Sequence, residues 1–157
     1  GIVLLVALLV WLIVRAWRKL RRQESDPARK GRRADRADEK RRVEALPSAG
    51  GRIPDDLLAA AAECYRQGNY TEAIVYLFSH RLVELDKGRL IRLAKGKTNR
   101  QYLRELGRRF TLRRLLEHTM IVFEEVFFGN YAIDRARFES VWSRQDEFDA
   151  LLAEVAA

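Results

Sequence analysis

The chain has 157 residues, of which 48% are apolar and 33% charged, and its formal net charge is +8. This composition excludes a wholly disordered chain, and a single cysteine excludes a disulfide framework and a cluster of thiolate ligands. Abundant Ala, Leu, Arg and Glu with only three prolines predict an all-α protein.

Residues 1–22 predict a single transmembrane helix with a basic stop-transfer flank. The first fourteen residues carry no charge, and the next eight include five basic ones. This order is the reverse of a signal peptide, although a core helix or a processed segment remains the alternative. Fourteen helical residues span about 21 Å of a hydrocarbon core of about 30 Å. Because the chain also opens on Gly1, we expect it to begin inside a helix of the cell (inner) membrane, and the positive-inside rule places the C-terminal domain in the cytoplasm.

Residues 23–52 predict a flexible, charged linker. Residues 15–42 hold 13 Lys and Arg against five Asp and Glu, and the linker has almost no large apolar side chain before Val43. A solvated helix over residues 34–46 would have no apolar stripe with which to dock. The basic residues either contact anionic lipid headgroups or only fix the orientation of the chain, and we favour the second.

Residues 53–157 predict a compact cytoplasmic bundle of about five helices. The first helix ends at Gly68 and Asn69, and the second runs from about Thr71 to Gly88. Their junction is similar to the turn of a tetratricopeptide unit, in which the small Ala73 allows close approach. No second copy follows about 34 residues later, so we expect one helical hairpin inside a larger domain.

The remaining helices complete the predicted core. Residues 90–94 read as a short extended piece without a partner strand, and Thr98 to Gln101 has the capping-box form that opens the third helix. The fourth helix, over residues 112–128, is apolar nearly all round and should be central. Asp134 can cap a fifth helix that extends to Leu152.

Two sequence patterns suggest catalysis or ligand binding, but each lacks a feature that its chemistry needs. Gly96, Lys97 and Thr98 end like a phosphate-binding loop, but the required earlier glycine is Ile91. The order Cys64, His118, Asp134 is that of a thiol-protease or transglutaminase triad, yet Cys64 lies near the end of a helix, where nothing lowers its pKa. We therefore predict no catalytic residue, no metal ligand and no cofactor.

The domain that would meet a partner is electrically neutral. Residues 43–157 hold 17 basic and 17 acidic residues, so we expect no nucleic-acid partner. Within the domain, neither the apolar stripe nor the helix cap requires Lys97, Asn99, Arg100 and Arg104. These four are the candidate partner-binding residues, and a solvated helix face is the alternative.

Three segments resemble successive blocks of one known family. They are GNYTEAIVYL at residues 68–77, LIRLAKGKTNRQYLREL at 90–106 and FEEVFFG at 123–129. Together they are similar to the domain of unknown function 4129, over residues 57–152, with Phe127 and Phe128 where a Trp-Tyr pair is frequent. The resemblance implies a cytoplasmic helical module of a bacterial membrane protein, often encoded near a MoxR-type ATPase, and supplies no catalytic residue.

Two functions agree with these observations. The first is a membrane-anchored, non-catalytic adaptor or regulatory domain that binds an unidentified cytoplasmic protein, possible partners including a MoxR-type ATPase system. The alternative is the cytoplasmic tail of a membrane enzyme whose transglutaminase-like or protease-like domain lies outside the membrane and precedes Gly1.

Overall fold

The computed structural model describes residues 27–47 and 52–157, and within these ranges the chain is helical with no strand. The helices are α1 Pro27–Ala45, α2 Leu57–Arg66, α3 Tyr70–Lys87, α4 Asn99–Glu105, α5 Phe110–Phe127, α6 Arg135–Trp142 and α7 Gln145–Ala156. The six helices from α2 onward form a compact bundle, so the all-α prediction is confirmed.

Helices α2 and α3 form the predicted hairpin. Asp56 caps the start of α2 because its Oδ1 accepts the backbone N–H of Ala59 at 2.9 Å, and the chain leaves the helix through Gly68 at a φ of +76°. Asn69 then caps α3. Ala61 on α2 and Ala73 on α3 are fully buried, which lets the two helices approach closely.

Helix α5 is the centre of the bundle, as predicted, and it contacts α3, α4, α6 and α7. The rings of Phe78 on α3 and Phe123 on α5 stack with their centroids 4.5 Å apart. The expectation of an apolar surface nearly all round is wrong, however. Ile121 is 45% exposed, and the same open side of the helix carries charged residues such as Arg114.

The predicted fifth helix is two helices, α6 and α7, separated by Ser143 and Arg144. The carbonyl of Val141, at the end of α6, accepts a hydrogen bond from Nη2 of Arg81 at 3.0 Å. A long-range donor therefore stabilises the end of α6, which the local sequence pattern did not indicate.

Helix α1 lies within the predicted linker and is longer than the solvated helix expected over residues 34–46. The chain divides into two compact units, Gly1–Lys40 and Arg41–Ala157. In the second unit, Leu46 is buried and Ala45 packs against the core. The structure thus differs from the expected boundary at residue 53, because residues 41–46 are part of the folded domain.

No helix in the described ranges is both long and apolar enough to cross a bilayer. The predicted transmembrane helix and basic flank, residues 1–22, lie outside the described residues. The membrane anchor therefore stays a prediction.

Candidate functional site

The four candidate partner-binding residues lie at the end of the α3–α4 loop and on α4. The loop is held by buried apolar side chains, including Leu93, and turns at Gly96, whose φ of +81° favours glycine. Thr98 and Gln101 form the predicted capping box: each side-chain oxygen accepts the backbone N–H of the other residue. This cap fixes where α4 begins.

Lys97 and Asn99 hold the local fold together. Lys97 Nζ donates to the backbone carbonyl of Arg92 at 2.7 Å and forms an ion pair with Glu105. Asn99 Nδ2 donates to Oε1 of Glu124 on α5 at 3.0 Å. Because their polar groups are engaged inside the domain, the structure does not bring these two residues into a shared binding site.

Arg100 and Arg104 lie together at a cleft between α4 and α5. The cleft has a volume of about 300 Å³, and Leu103 of α4 with Arg113 and Glu117 of α5 completes its lining. Within the described part of the chain, none of the three guanidinium groups forms an ion pair or a side-chain hydrogen bond. We call this feature the α4–α5 cleft.

Sequence reasoning missed Arg113 and Glu117, because they belong to the helix that was expected to be apolar nearly all round. It also missed how charge is distributed. Residues 87–114 contain eleven basic residues and one acidic residue, whereas the rest of residues 43–157 contains six basic and sixteen acidic residues. A running charge balance, in place of one sum over the domain, would have found this basic segment. Overall neutrality therefore does not by itself exclude an anionic partner.

Asp86, near the end of α3, connects the end of α1 to the α3–α4 loop. Its buried carboxylate accepts hydrogen bonds from Arg41 at 3.0 and 3.1 Å, from Arg42 Nε at 2.5 Å and from the backbone N–H of Leu93 at 2.8 Å. Burial alone would raise the pKa of Asp86, but these donors hold it below its ordinary value. The carboxylate therefore stays ionised and ties three segments together.

A second buried charge, Arg81 of α3, connects α3 to three other helices. Its Nε donates to Gln145 Oε1 at 3.1 Å, Nη1 donates to Thr119 Oγ1, and Nη2 bonds the Val141 carbonyl described above. The guanidinium carbon also lies 5.0 Å from the ring centre of Phe148. Burial lowers the pKa of Arg81 to about 10. These contacts define a structural cation and not a binding group.

Two residues of the suggested thiol-hydrolase triad, Cys64 and Asp134, lie in surroundings that do not suit that chemistry. Burial, followed by the charges of Glu72 and Glu63, raises the pKa of the Cys64 thiol, whereas a nucleophilic thiol needs a lowered one. Asp134 caps α6 by accepting the backbone N–H of Arg137 at 2.8 Å. In the described ranges no three His, Cys, Asp or Glu side chains are grouped so that they could hold a metal ion.

Comparison with protein-family models, curated proteins and solved structures gives no match for this chain. The resemblance to the domain of unknown function 4129 therefore stays a prediction.

Proposed function

We propose that this chain is a membrane-anchored, non-catalytic adaptor or regulatory module that binds a cytoplasmic protein at the α4–α5 cleft. The observation that carries the proposal is the set of three guanidinium groups at one cleft, with no ion-pair partner among the described residues: Arg100, Arg104 and Arg113. Arginine is enriched at protein interfaces because its planar group binds carboxylates and its stem covers apolar surface.

The arrangement is not one that folding alone favours. Like charges near water repel by up to about 1 kcal/mol at contact distances. Some arginines elsewhere in the domain have a carboxylate partner, as Arg137 has Glu125 and Arg144 has Glu147. Within residues 27–47 and 52–157, the three arginines of the cleft form no ion pair, not even with Glu117 in the same lining, so their guanidinium groups are available to an anionic group from another molecule.

The anchoring part of the proposal rests on the sequence of residues 1–22. An uncharged apolar run followed at once by five basic residues supports a membrane helix with the domain on the cytoplasmic side. An adaptor of this kind would hold its partner close to the bilayer.

The test is a quantitative crosslinking pull-down of the tagged full chain from intact cells. The cleft variant is R100E/R104E. The matched control is R52E/R66E, which changes the net charge equally at two exposed arginines that do not line the cleft. We expect a cytoplasmic protein, identified by mass spectrometry, to be recovered with the wild type and the control and lost with the cleft variant.

Unfolding midpoints control for a disturbed fold. The unfolding midpoints of the three proteins should agree, because the four substituted side chains are exposed. Equal recovery with the cleft variant, or no protein that depends on the cleft, would contradict the proposed function.

A further inference from the structure

We infer that the α4–α5 cleft binds an acidic peptide segment that also carries an apolar side chain. The inference rests on the proposed function and adds the chemistry of the partner. It follows from the residues that line the cleft, namely three arginines, one glutamate and one leucine.

The guanidinium groups set the main requirement. Each can donate two parallel hydrogen bonds to one carboxylate, a geometry that an ammonium group does not reproduce. Arg100 and Arg104 are four residues apart on α4, so they lie on the same side of the helix, and Arg113 meets them from α5. A segment with several Glu or Asp residues can satisfy all three.

Leu103 contributes apolar surface to the lining, together with the aliphatic stems of the arginines. Its side chain is only 4% exposed, so it offers a small apolar surface within the cleft and not a hydrophobic face. A volume of about 300 Å³ accommodates a few side chains, which suits a short segment and not a folded surface.

Glu117 distinguishes a peptide from a nucleic acid. A glutamate in the lining repels phosphodiesters and the carboxylates of an acidic peptide alike, but it can also accept a hydrogen bond from the backbone N–H of a peptide, a donor that the sugar-phosphate backbone of DNA lacks. Phosphate-binding surfaces also need a track of cations along the backbone, and this cleft is small. The lining therefore favours a polypeptide even though the surrounding segment is basic.

The basic segment at residues 87–114 adds a long-range contribution. Eleven basic residues against one acidic residue give the segment that contains α4 a positive net charge, and positive charge near a binding site speeds the approach of an acidic partner. We expect the association rate to fall as the salt concentration is raised. The residues of the cleft should instead determine the dissociation rate.

The test uses fluorescence anisotropy on the full chain, purified in a non-ionic detergent because residues 1–14 are uncharged. The probe is a short labelled peptide of glutamates interrupted by leucines. The reference probes are the same peptide with glutamine in place of glutamate, and single-stranded oligothymidine. All titrations are carried out at about 0.15 M salt, where long-range attraction is largely screened.

We expect the glutamate peptide to bind more tightly than either reference probe. R100E/R104E should weaken its binding at least about tenfold, and R52E/R66E should leave it within about twofold. The milder R100Q/R104Q should weaken it in the same direction, which keeps the test valid if charge reversal disturbs the fold. Glu117→Gln should reduce the ratio of the affinity for the peptide to the affinity for oligothymidine.

Three binding results would overturn the inference: equal binding of the glutamate and glutamine peptides, tighter binding of oligothymidine, or peptide binding that does not depend on Arg100 and Arg104. Light scattering identifies the case in which a second copy of the chain occupies the cleft, which would also overturn it. If the pull-down finds a cleft-dependent partner but the acidic peptide does not bind, the proposed function survives and only the partner chemistry is wrong.

Discussion

Arg81 is a buried cation that is held by neutral groups. The residue is 1% exposed, yet its partners are an amide, a hydroxyl, backbone carbonyls and an aromatic ring, with no carboxylate bonded to it in the described ranges. Only a planar group with five donors can reach acceptors on three helices at once. The shape and the donors of the arginine side chain should therefore contribute more to the free energy of unfolding than its charge does.

We predict that Arg81→Lys lowers the free energy of unfolding by about 2–4 kcal/mol. A lysine keeps the charge but cannot reach both Gln145 and the Val141 carbonyl, so buried acceptors lose their donor. Urea denaturation measures the change, with Arg66→Lys as the exposed control. A loss for Arg81→Lys no larger than that for the control would show that the network does not stabilise the bundle.

The two histidines make stability depend on pH. Burial is the main cause that lowers the pKa of both His80 and His118 below the ordinary 6.5, and Arg137 adds to the effect at His118. As pH falls through this value, the unfolded chain takes up protons that the folded protein does not. The free energy of unfolding should therefore decrease as the solution becomes mildly acidic.

We predict that this decrease, measured by urea denaturation between about pH 7.5 and pH 5.5, is smaller in the double variant H80Q/H118Q. The amide side chains do not titrate, so the folded and unfolded states bind equal numbers of protons at these positions. If the free energy of unfolding depended on pH equally in the wild type and the variant, the two histidines would not be the cause of the decrease.

At the scale of elements, local signals predicted the helices well and their long-range contacts poorly. Gly68 and Asn69 at the hairpin, and Thr98 with Gln101 before α4, act through neighbouring backbone groups, so their patterns can be read from the sequence. The break between α6 and α7 involves Arg81, which is 60 residues away along the chain from Val141. No local pattern contains that information.

Docking of the end of α1 was missed for a related reason. Residues 41–46 carry no apolar stripe; they are held mainly by Arg41 and Arg42, which bind a buried carboxylate, and by Leu46. The candidate site was predicted only in part. Arg100 and Arg104 on α4 could be identified from the sequence, but the α5 residues that complete their cleft could be identified only once the fold was known.

We predict that Asp86→Asn lowers the free energy of unfolding by about 2 kcal/mol or more, because two arginines lose their charged acceptor. Hydrogen exchange should also become faster at the backbone amides of residues 41–46. Asp55→Asn, at an exposed position, is the control and should change stability by less than about 0.5 kcal/mol. Unchanged exchange at residues 41–46 would show that Asp86 does not hold the end of α1.

At the scale of the whole molecule, the membrane anchor that the sequence predicts sets the position of the folded domain relative to the bilayer, and this prediction can be tested directly. The topology is tested in intact cells with a cysteine introduced at Ser48 in a Cys64→Ala background, so that only one thiol is present. Because five basic residues follow Val14, we predict that a membrane-impermeant thiol reagent labels this cysteine only after lysis. Labelling before lysis would contradict the cytoplasmic position of the domain.

The most direct test of the central claim is site-specific photo-crosslinking in living cells from the position of Arg108, which is exposed in the turn beside the α4–α5 cleft. Arg108 does not line the cleft, so its replacement leaves Arg100 and Arg104 in place. We expect a crosslink to a cytoplasmic protein that disappears when R100E/R104E is added, and no crosslink from the exposed position of Asp146 on α7. A crosslink that persists in the R100E/R104E background, or that forms equally from both positions, would contradict it.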